Sequence, residues 1–488
     1  MSLQLQPDYR GAYHFSPSRS WMNDPNGMVY LDGEYHLFFQ HHPHGDTWGP
    51  MHWGHAITRD LVHWEELPIA LEPDERGTIF SGSAVVDWQN TTGFFPEEPG
   101  LVAIFTHHDE QPDHPVRQSQ SLAYSHDRGR TWHKYQGNPV LTCDYRPDFR
   151  DPKVFWHESS GRWTMVLACG QSIALYHSPD LKNWTESSIF GEGIGCHDGV
   201  WECPDLFELP INNAPGLSRW VMLVSIGDNG QGAEGSRTQY FTGHFDGAIF
   251  LPDEASRQVR WLDHGRDNYA GVSWSDIPQQ DGRRLYIGWM SNWRYANHTP
   301  TGSWRGAMTI VRELQLEMTP TGVQLLQYPV DEMESIRRPV LLLEHVSLAQ
   351  VQQAIKELRL ESYELIVRMD KEVSFELQVR AGTASCTRIG VNAGSAQLYI
   401  DRTESGQSDF HNDFANRHTA PLQTIQEERE LRILVDAASV EVFADQGRTV
   451  MTDLIFPEPN ADRIRLTAME QDTVVCRVEI YDLSGSVS

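Results

Sequence analysis

Before residue 330 the chain shows almost no helical periodicity. Short runs rich in Val, Ile, Tyr, Phe and Trp, such as "GEYHLFFQHH", "GLVAIFTHH", "RWTMVLAC", "RWVMLVSI" and "RRLYIGWM", alternate with Gly, Pro, Asn and Asp. That pattern predicts an all-β fold of many short strands. "GMVYLDGEYHLFFQHH" reads as a hairpin turning at Asp32-Gly33, and "WMNDPNG" (21–27) just before it reads as a turn, since Asp-Pro and Asn-Gly are strong turn dipeptides. A weak repeat, "TRDLVHW" (58–64), "SHDRGRTW" (125–132) and "SPDLKNW" (178–184), sets a [Ser/Thr]-x-Asp turn before a Trp. Its spacing of roughly 50 to 70 residues suits a four-stranded propeller blade, and about five such blades fill the region.

The texture changes near "YPVDEMESIRRPV", which is charged and suits a short helical linker. Beyond it "YELIVRM", "SFELQVRA", "AQLYIDR" and "RILVDAASVEVFA" alternate as antiparallel strands with one buried face do. The expected organisation is a five-bladed β-propeller over 1–328, a linker over 329–344 and a β-sandwich over 345–488.

A length of 488 residues agrees with more than one domain. The net charge of −28 argues against nucleic acid, an anionic membrane surface or a polyanionic substrate, and favours a neutral partner. No apolar run reaches the roughly 18 residues of a membrane span. The start "MSLQLQPDYRGAYHF" lacks the basic and apolar regions of a leader peptide, and the six cysteines are scattered. Both point to a cytoplasmic protein with reduced thiols, or a secreted one had a leader been removed. "HHPH" (41–44) and "THHDE" (106–110) lack metal-ligand spacing, so neither a metal nor a cofactor is expected.

Three acids stand out. Asp24 lies in "WMNDPNG", Asp151 in "FRDPK" and Glu202 in "VWECPDLFEL", each beside an aromatic residue, a proline or both and each near a strand end. A propeller brings such positions together at one mouth of its central channel. Convergent carboxylates repel and lose hydration, so at least one should bind its proton more tightly than usual. Paired carboxyls with separated proton affinities are what glycosidic cleavage uses: one protonates the leaving oxygen, the other attacks or activates water.

"WMNDPNG", "FRDP" and "WECPDL", in that order, resemble the signature blocks of glycoside hydrolase family 32, the invertases, levanases, inulinases and other β-fructosidases. The resemblance continues through "WGPMHWGHAITRDLVHW", "FSGSAV", "YAGVSW" and "IGWMSNWRYANHTPTGSWRGAMTIVREL" into the C-terminal part, and so spans nearly the whole chain. It implies a five-bladed propeller followed by a sandwich and a retaining mechanism. Asp24 is then the nucleophile, Glu202 the general acid and base, and Asp151 the stabiliser of the oxocarbenium-like transition state. It also implies that Trp21, Asn23, Gln40, Trp48, Phe80, Ser81, Arg150 and Trp293 hold the terminal fructose, with Trp289 an alternative to Trp293 and Arg150 an alternative structural partner of Asp151. The sandwich is expected to carry no catalytic acid and to cover the propeller or form a homo-oligomer contact.

Other readings remain open. "SHDRGRTW" matches a sialidase-type box, but a sialidase pocket needs clustered arginines and this one offers only Arg150. An inverting arabinanase-like propeller and a catalytically inactive fructan-binding protein are further alternatives. Within the family, the segment from Gly288 to Leu314 is more similar to exo-levanases and exo-inulinases than to sucrose-6-phosphate hydrolases. The expected activity is exo-acting hydrolysis of fructans, fructo-oligosaccharides and sucrose, with a dedicated sucrose invertase as runner-up.

Overall fold

The computed structural model describes residues 8–112, 115–230, 234–423, 426–468 and 473–486. Residues 1–7, on which the leader reading partly rests, lie outside them. Five sheets built from antiparallel hairpins follow one another as far as Pro329. Their innermost strands are Ser20–Leu31, Thr78–Val86, Arg150–His157, Trp201–Pro210 and Tyr269–Ser273. Each touches the next and the last touches the first, so the sheets close into a five-bladed propeller. The chain secures the closure itself: Trp304 and Arg305 pair in parallel with Ser20 and Trp21.

The weak repeat falls on one hairpin in each of the first three blades. Asp60 accepts from the N–H groups of Val62 and His63, Asp127 from Thr131, and Asp180 from Lys182 and Asn183. The residue after each Asp, Leu61, Arg128 or Leu181, has φ near +60°. The aspartate stabilises that left-handed step by capping the turn with its side chain. The Asp32-Gly33 hairpin forms as expected, with Leu31 paired to Glu34 and both turn residues at positive φ.

"WMNDPNG" is not a turn. It lies within the continuous strand Ser20–Leu31, which is bulged between Met22 and Pro25 and again between Asn26 and Val29. Gly27, at φ +56°, permits the second bulge; a Cβ there would meet the Phe38 ring at 2.5 Å. Bulges also interrupt the other four innermost strands, between Phe80 and Gly82, Arg150 and Lys153, Glu202 and Asp205, and Tyr269 and Val272. Prolines 25, 152 and 204 adjoin or occupy them, as suits a residue that cannot donate to a ladder. Side chains at four of these bulges, Asp24, Ser81, Asp151 and Glu202, face the channel mouth.

The C-terminal part packs a six-stranded sheet against a five-stranded one around Leu365, Val367, Leu377, Ile389, Leu431 and Ile433. Between the propeller and this sandwich runs a 3-10 turn, Asp331–Ile336. The sandwich's first strand, Arg338–Ser347, takes up the second half of the 329–344 segment, with Leu341 and Leu343 packed on the sandwich core. Buried charges join the two parts. Arg312 reaches Asp263 of the propeller and Glu441 of the sandwich, and His14 lies between Asp436 (2.7 Å) and Glu441 (2.8 Å). No helix among the described residues is long and apolar enough to cross a membrane.

Candidate active site

Bulges of the first four innermost strands open onto a cavity of about 1280 Å³. Asp24, Asp151 and Glu202, from the first, third and fourth blades, all line it, as do Asn23, Gln40, Trp48, Phe80, Ser81, Arg150 and Trp293. Trp21 does not. It is fully buried, and its indole N–H donates to Asn23 Oδ1 (2.7 Å) while its ring stacks beneath Trp293. The expected sugar wall at Trp21 is therefore a support behind Asn23. Its side chain alternates inward from the bulge, which a motif alone does not reveal. Trp289 is likewise fully buried, so of the two C-terminal tryptophans Trp293 faces the cavity.

Asp24 is held by three donors. Oδ1 accepts from Asn23 Nδ2 (2.9 Å), and Oδ2 from Ser81 Oγ (2.7 Å) and Cys203 Sγ (3.4 Å). Burial raises its proton affinity, the nearby Glu202 charge adds to that, and the three donors oppose it; the balance lies above the usual carboxylate value. Asp151 is buried at φ +64°, a left-handed conformation that is strained for a side-chain-bearing residue and is held here by the bulge between Arg150 and Lys153. Its N–H donates to Thr106 Oγ1 (3.1 Å) and its Oδ2 accepts from the Cys203 N–H (3.1 Å). Burial carries its pKa up to about 7, against the pull of Arg150 and with the push of Glu202 and Asp24.

Arg150 does not serve chiefly as the partner of Asp151. Its strong contacts lie elsewhere: Nη2 donates to Glu202 Oε1 (2.8 Å) and Nη1 to Asp148 Oδ1 (2.5 Å), while Nε stands 3.9 Å from Asp151 Oδ2. The other oxygen of Glu202 accepts from the hydroxyl of Tyr269. At the mouth, Trp48 is 43% exposed and meets Phe80 edge-on, and Phe80 stacks flat on His108. Gln40 lies deeper and buried, with no protein partner for its Nε2. Such an unpaired buried donor lining a cavity suits a hydroxylated ligand. Among the described residues no three His, Cys, Asp or Glu side chains are grouped to hold a metal ion.

Sequence reasoning passes over Tyr269 and Thr106. A signal for Tyr269 is present. "RDPK", "ECPD" and "YAGV" each supply one residue before a two-residue bulge, and the next residue, Asp151, Cys203 or Ala270, has φ of 64°, 45° or 54°. Arg150, Glu202 and Tyr269 are thus equivalent positions of three successive blades, and they bond to one another in a row.

Comparison with known proteins matches nearly the whole chain. Residues 14–329 match the glycosyl hydrolases family 32 N-terminal domain and residues 332–482 the family's C-terminal domain. The chain is 49% identical to a levanase of Bacillus subtilis (strain 168) over 99% of its own length and 71% of that protein's. It is 37% identical to an extracellular exo-inulinase of Aspergillus awamori over 98% of its length and 95% of that protein's. Its fold matches the structure of a fructofuranosidase from Schwanniomyces occidentalis complexed with fructose, at TM-score 0.87 and 32% identity, covering 98% of this chain and 99% of that one. With both parts of the chain matched and a two-domain fold shared end to end, the protein belongs to glycosyl hydrolase family 32.

Proposed function

We propose that the protein is a retaining, exo-acting β-fructosidase that removes terminal β-D-fructofuranosyl residues from fructans, fructo-oligosaccharides and sucrose. The observation that carries this is the meeting of Asp24, Asp151 and Glu202 in one cavity whose walls present the unpaired amide nitrogen of Gln40 and aromatic rings. Asp24, fixed by Asn23 and Ser81, attacks the anomeric C2 of fructose. Glu202 gives its proton to the departing glycosidic oxygen, so a fructosyl ester forms on Asp24 as the C2–O bond breaks. Glu202 then takes a proton from water, which attacks C2 and releases fructose and the Asp24 carboxylate. Asp151, backed by Thr106 and the Cys203 N–H, steadies the positive charge that develops on the ring.

The size of the cavity favours an oligomeric substrate over sucrose alone, since small-ligand pockets fall near 300–1,000 Å³. The levanase and exo-inulinase relatives point the same way. A polymer is met outside the cell, and one relative is named as extracellular, which favours secretion over the cytoplasmic setting expected from the first residues. The test is a time course on inulin, levan and sucrose. Fructose should appear from the first samples with no ladder of intermediate oligosaccharides. A ladder at early times would replace the exo reading with an endo-acting cleft, and first-formed fructose of inverted configuration would remove the retaining mechanism.

A further inference from the structure

Glu202 is gripped at both oxygens by residues of unlike chemistry. Arg150 holds Oε1 at 2.8 Å, and the Tyr269 hydroxyl holds Oε2. A guanidinium can only donate, and a phenol can donate or accept. Tyr269 is 1% exposed, does not line the cavity, and meets Trp289 edge-on behind the site. Its place is set by the backbone: it is the first residue of the fifth innermost strand, immediately before the bulge at Ala270 and Gly271. The Ala270 N–H is tied to Ser225 Oγ at 3.1 Å. Burial pushes the phenol's pKa well above its usual value, so it stays a neutral hydroxyl.

In the proposed cycle Glu202 is a carboxylic acid before bond cleavage and a carboxylate after it. A hydroxyl that donates to one oxygen serves both states, because that oxygen is the carbonyl of the acid and one end of the carboxylate. Among the described residues the Tyr269 hydroxyl bonds only to Glu202, so its own proton has no other acceptor than Oε2, and the proton of the acid falls to Oε1. A protonated oxygen is a poor acceptor for a guanidinium, and Arg150 keeps its bond to Asp148 at 2.5 Å and stands 3.9 Å from Asp151 when its hold on Oε1 loosens. We propose that Tyr269 is a positioning residue which keeps Glu202 Oε2 a permanent acceptor, so that the proton Glu202 gives and takes travels on Oε1, the oxygen Arg150 releases. This rests on the reading of Glu202 as general acid and base.

The test is Tyr269→Phe, which removes one hydroxyl and keeps the ring that packs on Trp289. Kinetics are compared on sucrose, whose leaving oxygen needs a proton, and on p-nitrophenyl β-D-fructofuranoside, whose leaving group departs without one. The expected result is a fall in kcat/KM of about 10²-fold on sucrose, the cost of a misaimed catalytic group, with little change on the nitrophenyl substrate. In a Glu202→Gln background, Tyr269→Phe should cause no further loss on sucrose. Equal losses on both substrates, or losses that multiply in the double variant, would show a structural role only and overturn the inference. The Glu202→Gln variant alone separates the two levels: high activity on sucrose would remove the general-acid reading itself.

Discussion

The guanidinium of Arg150 is bonded to Glu202 at 2.8 Å and stands 3.9 Å from the carboxylate of Asp151, its neighbour in sequence. The cation thus bridges Asp148 and the acid of the next blade, with Asp151 at a longer distance. Arg150→Ala should lower kcat on sucrose by about 10²-fold, since Glu202 loses its orientation and Asp151 loses the charge that eases its ionisation. Arg150→Lys should not restore activity, because one ammonium cannot span Glu202 and Asp148 as the fork does. Full activity of the lysine variant, with an unchanged melting curve, would show that only a positive charge is needed.

Asp151 illustrates a site maintained against stability. Its pKa is about 7 in the fold and near the ordinary 3.8 when the chain is open. The native state therefore holds the extra proton between those values, and stability falls as pH rises through that window. Asp151→Asn cannot ionise and escapes this. The variant should melt higher than the parent at pH 8 and alike below pH 4, by up to about 4 kcal/mol at about 1.4 kcal/mol per pH unit, while losing turnover. Matched melting curves at both pH values would mean that the buried carboxylate is better solvated than its surroundings suggest.

The sequence reveals the class and the acids because strand-length apolar runs and Asp-Pro or Cys-Pro pairs are local signals. It conceals where those pairs point. Alternation with period two assumes a regular strand, and a bulge that inserts one extra residue reverses the face of everything beyond it. That is why Trp21 reads as a sugar wall yet lies behind Asn23, and why "WMNDPNG" reads as a turn yet is strand. The row Arg150, Glu202, Tyr269 needs three bulges in phase, which no one segment shows. The strand at Arg338 reads as linker because it is the edge of its sheet, exposed over much of its length, and so carries a charged, mixed sequence.

Gln40 offers a separation of binding from stability. Its buried Nε2 has no protein partner, so the site carries a cost that a ligand hydroxyl removes. Gln40→Leu should leave the melting temperature unchanged or raise it. It should also lower kcat/KM on sucrose by roughly 1–3 kcal/mol, about 5- to 150-fold. A variant that is destabilised with normal kcat/KM would make Gln40 a structural residue.

The seam between propeller and sandwich should respond to alkali through His14. Burial alone would lower its pKa, but the hydrogen bonds and charges of Asp436 and Glu441 carry it up to about 9 from 6.5. Those acids are in turn held low: Asp436 falls to about 2, also bonded by the Ala12 N–H and Ser362, and Glu441 is lowered by Arg312 as well as His14. A raised histidine contributes stability that is complete below pH 6.5 and is lost as pH climbs through 9. The lowered Asp436 contributes above pH 3.8 and is lost only as pH falls through about 2, so the two windows do not overlap. His14→Gln should therefore be less stable than the parent at pH 6, by about 3 kcal/mol for a shift of this size, and the two melting curves should converge by pH 10. Turnover at pH 6 and moderate temperature should hardly change, because His14 does not line the catalytic cavity. A difference that stays constant from pH 6 to pH 10 would assign His14 a packing role and remove the charge from the account.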